Sequence, residues 1–495
     1  MIKYQNLVAG QLTEPLAKGY FENVNPADTA DIIGLFPRSN REDVAQAVAA
    51  AQRALPAWKN MSAPRRGELI FKASEILLRR KDELAMVIVR EMGKTMPESR
   101  GDIQSSADAG YFAAGEGRRL YGQTTTSALD NRLAMTRRVP VGVCGLITAW
   151  NAPMAIITWK LFPALVCGNT VVLKPSEDTP MTAHLLGEVL KEAGFPDGVV
   201  NIVYGFGPEV GEALVAHPDV KLVSFTGSSK VGNAIAADCG RLMKRCSLEL
   251  GGKNALIVME DADIAAAAKA VAAGAFSTAG QRCAATSRVL VHDKVYDVFI
   301  KLLLTETRAM KVGPGMDPDT KVCPIINERQ YKRILEYIDE GKQAGFELLY
   351  GGKVFDAGRC AQGRYIEPTI FAGVDIDSRL AQDEIFGPVL AVFRVGSFDE
   401  AMAKANAVSY GLTASIYTQD VSLAMVALDR FEAGCCYVNA PTFGSEPHMP
   451  FGGVKLSGLG AREPGTQALD VFSEWKTIYI DYSGGVQQSQ YRMNK

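Results

Sequence analysis

Between residues 142 and 249 short β-branched runs alternate with amphipathic stretches, and this alternation constrains the fold more than any other feature of the chain. Val143–Thr148, Thr170–Leu173, Val199–Val203 and Leu222–Phe225 read as strands; residues 181–193, 208–216 and 230–242 read as helices, with Gly and Pro at the joins. Strands that are nearly all apolar and are separated by helices predict a parallel sheet covered on both faces, the doubly wound α/β architecture. A second set follows, with strands at Ala255–Met259, Arg288–His292, Val389–Val395, Thr413–Tyr417 and Cys436–Asn439 and helices near 262–279, 294–310 and 420–432. It predicts a second α/β domain.

Upstream, Val44, Val48, Ala51 and Leu55 share one helix face behind an Asn40 cap, and residues 65–92 predict a helix or helix pair stopped by Gly93. Near the other end, Ile478–Tyr482 is an isolated alternating segment, read as an edge strand that pairs outside its own domain. Residues 484–495 are polar and are expected to fray.

Composition narrows the function. The chain has 53 basic against 55 acidic side chains, so it lacks the excess of cations that a phosphate-backbone binder uses. No apolar run reaches the ~18–20 residues of a membrane span, because Lys160 and Asn169 interrupt the stretch 152–173. The first residues lack the apolar core of a secretory signal, so a cytoplasmic location is expected. Nine cysteines without a CxxC pair read as reduced thiols, and four histidines without ligand spacing predict no metal site. There is no GxSxG elbow, and Gly93-Lys94-Thr95 lacks the preceding glycine of a P-loop.

A few positions carry chemistry. Cys283 sits in Ala279-Gly280-Gln281-Arg282-Cys283-Ala284, where a cation and free backbone amides would favour the thiolate; a buried structural thiol is the other reading. Glu249, before Leu250-Gly251-Gly252-Lys253, fits either a solvated strand end or a carboxyl raised by an apolar cleft into the range of a base. Trp150-Asn151-Ala152-Pro153 follows a buried strand, and the Asn151 amide fits an oxyanion donor or a simple turn. Lys174-Pro175-Ser176-Glu177 follows the next strand, with a carboxylate able to bind ribose hydroxyls and to repel a 2′-phosphate. Phe225-Thr226-Gly227-Ser228 leads into a helix N-terminus suited to a pyrophosphate. Gly205-Phe206-Gly207 is half a GxGxxG whose third glycine, Gly211, comes one residue late.

Together with Glu384-Ile385-Phe386-Gly387-Pro388 and Pro450-Phe451-Gly452-Gly453, these motifs resemble the aldehyde dehydrogenase superfamily in order and spacing, over essentially the whole chain. The resemblance implies that Cys283 attacks the aldehyde carbon, that Asn151 and the Cys283 amide hold the oxyanion, and that hydride loss leaves a thioester. Glu249 would activate the hydrolytic water, and Lys160 with Glu463 would relay protons. It places Trp150, Lys174, Ser176, Glu177, Phe225, Gly227, Ser228, Leu250, Glu384 and Phe386 around a dinucleotide, with NAD favoured over NADP by Glu177. Because Glu249 is present, hydrolysis to the free acid is expected, not transfer to coenzyme A.

The resemblance also implies an architecture: a variant Rossmann dinucleotide-binding domain (1–120 and 142–253), an α/β catalytic domain (254–462) and a small oligomerisation β element (121–141 and 463–495). A homodimer or homotetramer is expected, with a small-molecule aldehyde as substrate and neither nucleic acid nor membrane as partner. Ala152, Trp159, Arg282, Phe443 and Phe451 would line the substrate tunnel, which Ala152 widens. Arg282 matches an arginine with which semialdehyde-specific relatives grip a distal carboxylate, and His448 also resembles that subgroup. A substrate of the 2-oxoglutarate semialdehyde type is therefore expected. A broad-range aldehyde dehydrogenase, a thiol-dependent esterase and a non-catalytic structural relative are the alternatives.

Overall fold

The computed structural model describes residues 1–485; the expected frayed segment, and with it the end of the expected oligomerisation element, falls almost wholly beyond them. The first alternating set forms five parallel strands in the spatial order Val200–Ile202, Thr170–Lys174, Val143–Ile147, Val220–Thr226, Arg245–Glu249. The chain builds outward from Val143–Ile147 in one direction, then returns and builds in the other. That reversal opens a crevice at the carboxyl ends of the strands, where doubly wound sheets bind ligands. Short antiparallel strands close the sheet: Asn6–Val8 and Gln11–Thr13 at one edge, Gly458–Leu459 at the other. Gly458–Leu459 thus joins the first sheet although it lies in the segment expected to be catalytic.

The second set forms a sheet of seven strands, from Glu347–Tyr350 at one edge to Cys435–Val438 at the other, parallel except for the first. Each sheet has its own apolar core. The third sheet pairs Ser473–Asp481 with Arg132–Pro140, and that strand with Thr124–Thr126. The late strand starts five residues before the expected Ile478 because Glu474 and Lys476, exposed charges that mask a strand pattern, belong to it.

Helix α1 (Arg41–Asn60) begins with Asn40 accepting from the Glu42 and Asp43 amides while Asp43 returns the bond, a complete capping box. Helices α2 (Ala63–Arg79) and α3 (Lys81–Met92) are the expected pair, stopped by Gly93 at φ 87°. Helix α4 (Met96–Glu116) has no counterpart in the sequence reading. Its buried stripe is Ser99, Asp102, Ile103, Ser106, Ala107, Gly110 and Ala113, correctly spaced but too small and polar to register as apolar periodicity. Helix α5 (Pro153–Val166) follows the Trp150-Asn151 motif. The expected helix at 208–216 opens with a π turn at Gly207–Gly211, in which the Glu212 amide bonds Gly207 O. A π turn takes one residue more than an α turn, which accounts for the late Gly211.

Candidate active site

At the carboxyl ends of the first sheet lies a cavity of about 500 Å³. Asn151, Ala152, Trp159, Lys160, Glu249, Leu250, Arg282, Cys283, Phe443, Phe451 and Glu463 all line it, so every expected catalytic and tunnel residue faces one space. Trp159 meets Phe451 edge to face at 6.0 Å and donates from Nε1 to Ser105 Oγ at 3.2 Å, a firm apolar wall. His448 lies away from this wall, exposed beside Glu446.

Cys283 is presented by a strained loop. The helix Ile264–Phe276 breaks into Ser277–Gly280, where Thr278, Ala279 and Gly280 take φ of 52°, 53° and 67°. Consecutive left-handed residues are costly and persist only where their surroundings hold them. Buried Gln281 supplies that hold: Nε2 donates to Thr278 O and Pro324 O, and Oε1 accepts from the Ile326 amide. Beyond it, Asn254 Nδ2 clamps Cys283 O at 2.7 Å and Ala285 O at 2.8 Å. Of the two readings open for Cys283, the thiol fits the buried one and not a ready thiolate. Burial, with the Glu384 and Glu249 carboxyls, pushes it up to about 12, and the Ala284 and Cys283 amides only partly offset this. The adjacent cation that was expected to help turns to a different partner.

That partner is Glu98, on α4. Arg282 Nη2 reaches Glu98 Oε1 at 2.8 Å, Nε donates to Thr278 Oγ1 at 2.9 Å, and the guanidinium lies 4.9 Å from the Phe443 ring centre. One turn further along α4, Asp102 pairs with Lys94 at 3.1 Å and accepts from the Ala155 amide at 2.7 Å. Ala152 has no side chain with which to cap α5, so Asp102 caps it from outside. Glu98, Asp102, Lys94 and Ser105 also line the cavity. None was picked out from the sequence, where only Lys94 was weighed, as part of the rejected P-loop.

The Glu249 carboxyl is held well above its ordinary range by burial, which the nearby Lys160 ammonium only partly offsets. Its Oε2 is buried without a hydrogen-bond partner among the described residues. Gly452, at φ 147°, lets the chain pass close by, since a Cβ there would sit 2.5 Å from Glu249 Oε1. Behind Glu249, Lys160 Nζ meets Glu463 Oε2 at 3.0 Å and Ser224 Oγ at 2.9 Å, and Ser224 Oγ donates to Glu463 Oε1 at 2.9 Å. Ser224 was missed; its signal was a lone hydroxyl in the otherwise apolar run Leu222–Phe225.

Most of the residues expected at a cofactor lie outside this cavity, whereas Leu250 lines the cavity itself and Phe225 belongs to the buried core. Lys174 Nζ bonds Glu177 Oε2 at 2.9 Å. Burial works to raise the Glu177 carboxyl, but Lys174 outweighs it and holds the group below the usual carboxylate range. Ser176 Oγ accepts from the Asp178 amide, and Ser228 caps the helix Ser229–Arg241 by accepting from Val231 N. Phe225 is buried in the core, with its ring packed beneath Gly227. At the other end, Trp150 and Phe386 meet edge to face at 5.3 Å, and Glu384 Oε1 accepts from the Gly252 amide at 3.0 Å. A Cβ on Gly251 would run into the Glu384 carboxylate, which would have to shift aside. A carboxylate for ribose hydroxyls, a helix N-terminus and a second carboxylate beside aromatic rings fit a dinucleotide.

Comparisons with known proteins give the family. The model of the aldehyde dehydrogenase family matches residues 13–478. The alpha-ketoglutaric semialdehyde dehydrogenase of Bacillus subtilis (strain 168) is 41% identical over 96% of this chain and 98% of its own length. The alpha-ketoglutarate semialdehyde dehydrogenase of Haloferax volcanii is 42% identical over 97% of this chain and 99% of its own. Among solved structures, the NAD-dependent aldehyde dehydrogenase from Sinorhizobium meliloti superposes with a TM-score of 0.95 at 39% identity, covering 98% of this chain and 96% of that one. With Cys283, the raised Glu249 and a groove that fits a dinucleotide meeting at a shared crevice, and with a family model that matches residues 13–478, the chain belongs to the aldehyde dehydrogenase family.

Proposed function

We propose that the protein oxidises an aldehyde carrying a distal carboxylate to the free acid with NAD, and that 2-oxoglutarate semialdehyde is its leading substrate. The observation that carries this reading is a guanidinium, Arg282, in the same cavity as Cys283 and Glu249. The similarity to two proteins named for that semialdehyde supports it.

The resting thiol is neutral, so it must lose a proton before attack, and Glu249 is a carboxyl raised enough to accept one. Attack forms the C–S bond of a thiohemiacetal, whose oxygen meets the Asn151 amide and the Cys283 N–H. NAD, when bound, would supply the acceptor for the hydride that this adduct loses as it becomes a thioester on Cys283. Lys174 and Glu177 would hold the adenosine ribose of NAD, Gly227 and Ser228 its pyrophosphate, and Glu384 and Phe386 its nicotinamide end. Once the Lys160–Ser224–Glu463 cluster has carried the thiol proton away, Glu249 takes a proton from the water that releases the acid, and the same cluster passes that second proton on.

The exposed aromatic residues Trp475 and Tyr479 on the third sheet, with Tyr482 just past its last strand, support a homo-oligomer that uses that sheet. No helix among the described residues is long and apolar enough to cross a membrane.

Initial rates of NADH formation with acetaldehyde, benzaldehyde, succinic semialdehyde and 2-oxoglutarate semialdehyde, for the wild type and for Arg282→Leu, test the substrate reading. The expected result is a preference for the carboxylated pair and a roughly 10–100-fold rise in their KM in the variant. A preference for the uncharged pair, or an unchanged KM, overturns it.

A further inference from the structure

We infer that Glu98 is a specificity-determining residue of this cavity: as the resident counter-ion of Arg282, it balances the charge at the far end so that uncharged as well as carboxylated aldehydes are accepted. The inference rests on the proposed reading that Arg282 meets the substrate's carboxylate.

Glu98 is fixed from both sides. Oε2 accepts from Thr95 N at 3.2 Å and Thr95 Oγ1 at 2.9 Å, which completes the cap of α4. Oε1 accepts from Arg282 Nη2 and Thr278 Oγ1, both at 2.8 Å. Burial works to raise this carboxyl, yet Arg282 and Lys94 outweigh it and keep it ionised. The pair still opens to the cavity, with side-chain exposures of 23% for Arg282 and 16% for Glu98. Four positions on, Asp102 and Lys94 repeat the arrangement, so two cations and two anions share this end.

The consequence is a choice of substrate. An uncharged aldehyde that enters here leaves no buried cation without a partner, an arrangement that would be strongly disfavoured. A carboxylated aldehyde can bond the Nη1 edge, which makes no hydrogen bond among the described residues. It must then share the guanidinium with Glu98, and repulsion between the two carboxylates offsets part of the gain.

Glu98→Gln is the test, since Gln is accepted at this position of a capping box. The ratio of kcat/KM for 2-oxoglutarate semialdehyde to that for benzaldehyde is expected to rise about tenfold, mainly through KM. In an Arg282→Gln background the same change should move the ratio by less than about twofold. A merely structural role for Glu98 would lower thermal stability and kcat for both aldehydes without moving the ratio. Should Glu98→Gln fail to fold, Glu98→Asp draws the carboxylate back from Arg282 and should move the ratio in the same direction. A flat or falling ratio in whichever variant folds, or equal changes in both backgrounds, overturns the inference. If Arg282→Gln alone leaves the carboxylated KM unchanged, the parent reading fails; if that KM rises while Glu98→Gln leaves the ratio flat, only the role of Glu98 fails.

Discussion

Lys160 and Glu463, 303 positions apart in the chain, meet at 3.0 Å with both side chains only 2% exposed. Ser224 bridges them from the strand between, so two charges and a hydroxyl form a closed ring beside the Glu249 carboxyl.

Removing one charge from that ring should be costly. Glu463→Gln leaves the Lys160 ammonium buried without its counter-ion, and a loss of about 3–5 kcal/mol is expected in urea unfolding, together with a fall in kcat. The double variant Lys160→Met with Glu463→Leu should recover most of the stability and none of the turnover. Full turnover in the double variant would mean that the ring is structural only.

Glu249→Gln should separate the two halves of the reaction. NADH is expected to appear as a slow burst of about one equivalent per site, after which steady-state turnover falls by roughly 10²–10⁴-fold. The sign with pH follows from the raised pKa: the carboxyl must be deprotonated to act as a base, so wild-type deacylation should quicken as pH rises and level off above that pKa. Deacylation that slows as pH rises would remove Glu249 from this role.

The raised thiol has its own signature. With Cys283 pushed up to about 12, inactivation of the cofactor-free enzyme by iodoacetamide should climb about tenfold per pH unit between roughly pH 7 and 9. A rate already level at neutral pH would reveal a preformed thiolate.

Glu177→Gln should relax the choice of dinucleotide. Loss of the carboxylate removes repulsion of a ribose 2′-phosphate and frees Lys174 from its 2.9 Å contact. The kcat/KM ratio of NADP to NAD is expected to rise roughly 10–100-fold, and an unmoved ratio would show that Glu177 does not face the ribose.

The sheets, and the side chains that meet in the cavity, were legible in the sequence because their signals are local. Val389–Val395 and Thr413–Tyr417 are found at the expected bounds, since continuous apolar runs between turn residues leave little latitude. Cys283, Glu249 and Asn151 could be picked out because each ends a strand or loop with its own motif. What escaped was built from distant pairs or from small side chains. Glu98 and Arg282 are 184 positions apart, and nothing near either one announces the other. Ser224 looks like an ordinary strand serine until Lys160 and Glu463 close around it. The neighbourhood of Cys283 misled for a related reason: adjacency in sequence suggested a helpful cation, whereas the side chain of Arg282 turns to α4.

The double duty of Asp102 bears on how this enzyme can acquire new substrates. One carboxylate both neutralises Lys94 and caps the helix that carries Lys160, so a change there alters the tunnel wall and the catalytic scaffold together. Ala152, Ser105 and Phe443 line the same tunnel without that double burden. Directed evolution toward bulkier or less polar aldehydes should therefore accumulate substitutions at Ser105 and Phe443, since Ala152 is already small, and leave Asp102 untouched.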